Sequence, residues 1–200
     1  VLRNGDDMNI ISLPNAPWCT TFSVGTGDRN DLQIKNFAEN KDGTKFELSW
    51  QGEKICSIDW QMPGEYNARN LAMSFLSSVL TQAICEGKEI LHTNPFSGFK
   101  LPDYSSCKGV KRRQEISVDQ EEFTVISDFA HHPTAIAGTL ESLRARWANR
   151  KIIACFEPRS NTAVTNIFQD RFADSLSIAD EVLLGAVHRG DKIPVAQRID

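Results

Sequence analysis

The 200-residue chain has no long apolar run, no excess of basic residues and no Cys-x-x-Cys pair. Its most apolar stretch, residues 71–84, is broken by serine, threonine and glutamine and is too short and polar to cross a bilayer. The formal net charge of -4 removes the usual electrostatic basis for binding nucleic acid, and the basic cluster at 108–113 is too short to restore it. Neither a membrane nor a nucleic acid is a predicted partner.

The five cysteines are odd in number and widely spaced, which is typical of reduced thiols in a cytoplasmic protein rather than of disulfides or structural zinc. We expect most of them to be small core residues. The pattern Gly-x-x-x-x-Gly-Lys-Ser/Thr is also missing, so the chain lacks the commonest phosphate-binding loop.

The most informative segment is SDFAHHPT at residues 127–134. It follows the β-branched and aromatic run at 123–126, and Pro133 suits the first position of a helix. We therefore predict a strand-to-helix turn over residues 128–132. Open α/β sheets place their binding residues at such turns.

The same order of strand, polar turn and helix occurs twice more. Residues 152–156 are followed by EPRSNT at 157–162, and residues 181–184 are followed by His188 and Arg189. This repetition favours parallel strands joined by right-handed crossovers, with the carboxyl ends of the strands along one edge.

Imidazole and guanidinium groups would gather at that edge, where they suit a phosphate or carboxylate ligand. We favour this interpretation for His131, His132 and Arg159, because polar residues recur at that position in successive units. His188 and Arg189 are interpreted as solvated loop residues.

The first half of the chain follows a different pattern. Residues 21–24, 45–50 and 54–58 are separated by glycine-containing turns and predict an antiparallel meander. A helix follows, with a core stripe at every fourth residue, made of Leu71, Phe75, Val79 and Ala83.

Two asparagines, Asn67 and Asn70, lie three residues apart at the start of that helix, and their spacing alone indicates capping residues. The turn-rich segment from 92 to 103 predicts a linker. We place the domain boundary after it, giving domains at 1–107 and 108–200.

Four motifs resemble, in this order, those of the Mur ligase family of ATP-dependent enzymes that build the peptide of the peptidoglycan precursor. They are GEYNARNLA at 64–72, KGVKRRQE at 108–115, DFAHHPT at 128–134 and FEPRSNT at 156–162. The last resembles the branch that joins the tripeptide L-Ala-γ-D-Glu-meso-diaminopimelate to UDP-N-acetylmuramate in peptidoglycan recycling. The L-alanine-adding branch typically has a Pro-His-Arg-Tyr type sequence there.

The resemblance implies an α/β fold in two parts. Residues 1–107 would be the end of a central ATPase domain with antiparallel strands and helices, and 108–200 a Rossmann-like ligase domain with mainly parallel strands. It also implies ATP and Mg²⁺ as cofactors, with the phosphate-binding loop and most magnesium ligands upstream of Val1. Because the sequence starts without methionine and ends after a strand and loop, we expect a fragment that is inactive alone.

By resemblance, Asn67 and Asn70 match positions near the adenine, although Tyr66 replaces the usual histidine before Asn67. Arg113 and Asp128 match positions that hold the ribose or phosphates. Ser127 stands where the family usually has a second acid.

His131 matches the histidine near the reacting centre, which implies a catalytic role. His132 matches a substrate-side position, or it only orients the turn or caps the helix. Arg159, Ser160 and Asn161 match the motif that binds the carboxylates of the peptide, and Arg159 is also a catalytic candidate because a guanidinium grips a carboxylate through two hydrogen bonds.

Three alternatives remain open. The chain could belong to the L-alanine-adding branch, or it could be a binding module without catalysis. It could also hold a hydrolytic metal centre on Asp128, His131, His132 and His188, although adjacent histidines rarely both reach one metal.

Overall fold

A computed structural model of the chain describes residues 1–15, 17–90, 94–104, 106–107 and 109–199. The chain divides into two compact units, residues 1–108 and residues 109–200. Parts of two predicted segments lie outside the described residues. They are His92 and Thr93 in the predicted linker, and Lys108 in the basic cluster, where the motif at 108–115 and the predicted second domain begin.

The first unit contains a five-stranded mixed sheet. In sheet order its strands are β1 (Leu2–Asn4), β2 (Phe22–Gly25), β3 (Leu32–Asn40), β4 (Gly43–Trp50) and β5 (Glu53–Trp60). β1, β2 and β3 pair in parallel, whereas β3–β4 and β4–β5 are antiparallel. The predicted antiparallel pairing is confirmed for β4 and β5 but is wrong for β2. The sequence analysis also missed β1 and β3.

The parallel pairing of β1 with β2 follows from the connection between them. A parallel neighbour needs a crossover, and the chain returns through the short helix α1 (Met8–Ile11). Tight turns connect β3, β4 and β5 instead, and tight turns reverse the chain direction.

The long helix α2 (Glu65–Cys85) supplies one side of the first core. The predicted stripe of Leu71, Phe75, Val79 and Ala83 is buried, as periodicity indicated. The core also contains the buried tryptophans Trp50 and Trp60 from the sheet.

The second unit contains two strand pairs. β6 (Glu115–Asp119) and β7 (Thr124–Ser127) are antiparallel, and β8 (Ile153–Phe156) and β9 (Glu181–Leu184) are parallel. Helix α3 (Pro133–Arg146) connects β7 to β8, and α4 (Gln169–Leu176) lies in the crossover between β8 and β9. The predicted start of α3 at Pro133 and the parallel β8–β9 crossover are confirmed.

The hydrogen-bonded neighbour of β7 among the described residues is β6, a strand that the sequence analysis missed. A short loop joins the two, in which the Gln120 N–H donates to the Phe123 carbonyl at 2.9 Å. Such a short connection permits only antiparallel pairing.

The second core lies between α3 and α4. Ile136 and Leu140 pack with Phe172 and Leu176, and Ala163 from the loop after β8 is fully buried among them. This packing places the loop after β8 against the helices of its own unit.

All five cysteines lie within the described residues, and none of them forms a disulfide. Cys19 and Cys56 are half-buried, whereas Cys85, Cys107 and Cys155 are exposed, so the expectation that most would be core residues was wrong. Of the helices that the structure describes, none combines the length and apolar character needed to cross a membrane.

Candidate functional site

Asp128 stabilises the turn after β7, because its carboxylate accepts two backbone hydrogen bonds. Oδ1 accepts from the Ala130 N–H at 2.7 Å, and Oδ2 accepts from the Gln114 N–H at 2.8 Å. Asp128 therefore joins the predicted strand-to-helix turn to the segment that carries Arg113.

Two arginines lie over the half-exposed ring of Phe129. The guanidinium carbons of Arg112 and Arg113 are 5.2 and 5.9 Å from the ring centroid, within cation–π range. The Phe129 N–H also donates to the Arg112 carbonyl at 2.8 Å. Guanidinium groups held in this way can bind a phosphate or carboxylate.

His131 belongs to the same cluster. Its ring lies 5.0 Å from that of Phe129, and its Nδ1 is 2.9 Å from the Phe129 carbonyl oxygen. Since a carbonyl can only accept, Nδ1 carries the proton of this bond, and Nε2 of the neutral ring is left as the acceptor. The structure therefore brings together Arg113, Asp128 and His131, and it adds Arg112, to which the sequence analysis gave no role.

His132 occupies the N-cap position of α3 with an extended backbone, but its side chain makes no capping hydrogen bond. Its ring instead packs edge-on against Phe168, at 5.3 Å between centroids. Because Phe168 lies in the short 3-10 turn before α4, His132 connects the 128–132 turn to the segment after the EPRSNT motif.

Arg159 lies in the loop after β8 and keeps 68% of its side chain exposed. Its Nε donates to Oε1 of Glu157 at 3.0 Å. Ser160 uses its hydroxyl oxygen to accept from the Ala163 N–H at 3.2 Å, and Asn161 is exposed.

The loops after β8 and β9 lie side by side. The His188 N–H donates to the Pro158 carbonyl at 3.0 Å, and the Gly185 N–H donates to the Phe156 carbonyl at 2.8 Å. A Cβ at Gly185 would come within 3.2 Å of the Glu157 side chain, so a small residue leaves room for Glu157 beside Arg159.

The two asparagines lie in the first unit. Helix α2 begins at Glu65 with Gly64 at the N-cap and no side-chain capping bond, so the prediction that the two asparagines are capping residues is wrong. Asn67 donates from Nδ2 to the Pro63 carbonyl at 2.6 Å. Asn70 is exposed one turn later. Gly64, which precedes the helix, has φ +87, and a Cβ there would lie 2.4 Å from the Tyr66 ring.

No group of three histidine, cysteine, aspartate or glutamate side chains that could hold a metal ion occurs within the described ranges. Asp128 in particular is engaged by backbone amides. The described residues therefore do not present the set of ligands that the alternative of a hydrolytic metal centre requires.

Fold and site together define a two-unit α/β protein whose second unit carries cationic strand-to-helix turns. Residues 1–78 match the model of the Mur ligase middle domain, and residues 112–197 match that of the Mur ligase glutamate ligase domain. These two matches take in most of the chain, which belongs to the Mur ligase family.

Two curated relatives with different acceptor substrates in their names are similar in sequence to this chain. The chain is 31% identical to UDP-N-acetylmuramate–L-alanine ligase of Clostridium acetobutylicum over 189 residues, which cover 94% of this chain and 38% of the relative. It is 34% identical to UDP-N-acetylmuramate–L-alanyl-gamma-D-glutamyl-meso-2,6-diaminoheptandioate ligase of Escherichia coli K12 over 171 residues, which cover 83% of this chain and 34% of the relative. The chain thus spans little more than a third of the length of these relatives.

A solved structure shares the fold. The UDP-N-acetylmuramate-alanine ligase of Thermotoga maritima superposes with a TM-score of 0.61 at 22% identity, over 86% of this chain and 35% of that one.

Proposed function

We propose that the protein is an ATP-dependent ligase of peptidoglycan recycling in the cytoplasm. It would join the amine of L-Ala-γ-D-Glu-meso-diaminopimelate to the carboxyl group of UDP-N-acetylmuramate. A carboxylate is a poor electrophile, so the reaction passes through an acyl phosphate before the amine attacks.

One observation carries the choice of tripeptide. Arg159 lies exposed at the carboxyl end of β8 within the sequence FEPRSNT, next to Ser160 and Asn161. The tripeptide has several carboxylates, whereas L-alanine has one. An exposed guanidinium suits the tripeptide, because it can bind a carboxylate through two hydrogen bonds.

Bound ATP supplies the phosphoryl group that activates the carboxylate. In this chain, Asn67 and Asn70 would contact the adenine, and Arg113, with Asp128 holding its turn in place, would contact the ribose or phosphates. The guanidiniums over Phe129 fit an anionic ligand in charge and exposure. Most ligands of Mg²⁺ would come from residues upstream of Val1.

His131 would act beside the reacting centre. With Nδ1 donating to the Phe129 carbonyl, Nε2 can accept a proton from the attacking amine. His132 would orient the turn through Phe168 and border the peptide.

The L-alanine-adding reaction is the second candidate, supported by the name of the Clostridium acetobutylicum relative. It differs in the acceptor and not in the mechanism. A module that binds nucleotide or peptide without catalysis is the third, because these 200 residues contain no phosphate-binding loop of the Gly-x-x-x-x-Gly-Lys type.

Phosphate release by the full-length protein separates these candidates. The assay contains ATP, Mg²⁺ and UDP-N-acetylmuramate, with either the tripeptide or L-alanine as acceptor. We expect release that the tripeptide stimulates and L-alanine does not. Stimulation by L-alanine alone would assign the protein to the other branch, and no release with either acceptor would favour the binding module.

A further inference from the structure

Gln114 is a buried amide in an otherwise charged and exposed segment. It is 4% exposed, and both ends of its side-chain amide are bonded to α3. Nε2 donates to the Ser142 hydroxyl at 2.9 Å, and Oε1 accepts from Nη1 of Arg146 at 3.0 Å. A buried polar group is stable only when bonded in this way, so these contacts fix the position of Gln114 on the helix.

The backbone around Gln114 is strained. Arg112 has φ +59 and Gln114 has φ +50, so both residues that flank Arg113 are left-handed although neither is glycine. Such conformations persist where the surrounding structure imposes them. The buried side chain of Gln114 and its N–H, which donates to Oδ2 of Asp128 at 2.8 Å, provide that restraint.

Gln114 therefore connects three parts of the candidate site. Its side chain fixes it to α3, its N–H holds the Asp128 carboxylate, and its backbone sets the direction in which Arg113 leaves the turn. The guanidinium of Arg113 then lies over Phe129.

We propose that Gln114 is a positioning residue that orients Arg113 and Asp128 toward the nucleotide. The proposal rests on the proposed function, because it assigns Arg113 to the ribose or phosphates. Gln114 itself touches no substrate, and its effect reaches the nucleotide only through its two neighbours.

The test compares Gln114→Met and Ser142→Ala in the full-length protein. Methionine keeps the length of the glutamine side chain and loses its hydrogen bonds. Ser142→Ala removes the hydroxyl that accepts from Nε2 of Gln114 at 2.9 Å and donates to its Oε1 at 3.2 Å. We expect each variant to raise the KM for ATP and weaken binding of a non-hydrolysable ATP analogue by about tenfold, with the KM for the acceptor within about twofold of wild type. The double variant should be no worse than the poorer single one, because both changes break one network.

Ser175→Ala is the matched control. Ser175 is also a buried helix serine of the second unit, and its hydroxyl donates to the Phe172 carbonyl at 3.0 Å, on α4. It should leave both KM values unchanged. Restoration of tight analogue binding by Gln114→Glu, which keeps the acceptor for Arg146, would add support.

If Gln114→Met and Ser142→Ala fold and bind the ATP analogue as tightly as wild type, the positioning role is overturned. If these variants then differ from wild type only in a lower melting temperature, Gln114 has a structural role only. If Gln114→Met does not fold, Ser142→Ala decides. Wild-type protein that binds the analogue without releasing phosphate would overturn the ligase function, while the binding comparison still tests Gln114. Wild-type protein that binds no nucleotide would overturn both.

Discussion

Nη2 of Arg69 lies 3.1 Å from Oδ2 of Asp6, so the N-terminal part of α2 is bonded to the loop that follows β1. The same carboxylate accepts the N–H groups of Thr26 and Gly27 at 2.7 and 3.0 Å and Nδ2 of Asn30 at 2.9 Å. Asp6 therefore holds three segments of the first unit together, including the helix that carries Asn67 and Asn70.

Asp6→Asn should destabilise the chain at neutral pH. Burial raises the pKa of the Asp6 carboxyl, but the hydrogen bonds from Thr26, Gly27 and Asn30 outweigh it and lower that pKa to about 2 from 3.8. The folded-state pKa is depressed, so this stability is fully present above pH 4 and is lost as the pH falls toward 2. We expect a loss of about 2 kcal/mol in the free energy of unfolding at pH 7.

Urea unfolding of the chain at pH 7, 4 and 2.5 measures this loss. The difference between wild type and Asp6→Asn should shrink at the lowest pH, while Asp42→Asn, in an exposed turn, should have little effect throughout. A difference that stays constant with pH would contradict the assigned cause.

Gly43→Ala should be more harmful than Gly52→Ala. Gly43 and Gly52 have φ values of +135 and +91, so alanine is strained at both, but only at Gly43 would the new Cβ meet the Trp60 carbonyl oxygen, at 2.1 Å. We expect about 1 kcal/mol of destabilisation at Gly52 and at least about 3 kcal/mol at Gly43, measured by urea unfolding. Equal losses would mean that the backbone around Trp60 moves away freely.

Arg159→Ala in the full-length protein should raise the KM for the tripeptide by at least about tenfold and leave the KM for ATP within about twofold. The reason is the exposed guanidinium, which would bind a carboxylate of the peptide. Arg189→Ala is the control, since Arg189 is interpreted as a solvated loop residue. Equal effects of Arg159→Ala on both KM values would exclude the peptide assignment.

Phe172→Ala should lower the free energy of unfolding of the second unit by about 3–5 kcal/mol. Phe172 is 2% exposed and its ring stacks on that of Phe156 at 5.5 Å, so the substitution leaves a cavity in the second core. Phe123→Ala, at a residue that is 49% exposed, should cost much less in the same circular dichroism melts. Similar losses would show that the core around Phe172 collapses to fill the space.

Local sequence signals predicted the helices better than the strand pairing. The apolar stripe at Leu71 and Phe75 and the proline at the start of α3 are local patterns in the sequence, and they correctly predicted helices α2 and α3. β3 and β6 were missed because both are interspersed with polar residues. The parallel pairing of β2 joins strands that are separate in the sequence, so a local sequence pattern does not predict it.

The candidate site divides in the same way. Its residue types and the turn over 128–132 could be predicted, because the motif lies between a strand and a proline-initiated helix. The hydrogen bond from the Gln114 N–H to Asp128 and the stacking of Arg112 on Phe129 could not, since they join residues 14 and 17 positions apart through the fold. Gln114 gave no signal, because a glutamine among charged residues ordinarily lies at the surface.

The positions of the tryptophans allow unfolding of the first core to be followed by tryptophan fluorescence. Trp50 and Trp60 are buried there, while Trp18 is 85% exposed. Loss of the first core would bring Trp50 and Trp60 into water and shift their emission to longer wavelengths. The emission of Trp18 would stay the same, because this side chain is already exposed in the folded protein. In the second unit, the half-buried Trp147 lies 4.3 Å from the Arg146 guanidinium, close to the helix that anchors Gln114. Its emission is therefore an intrinsic probe of that anchor.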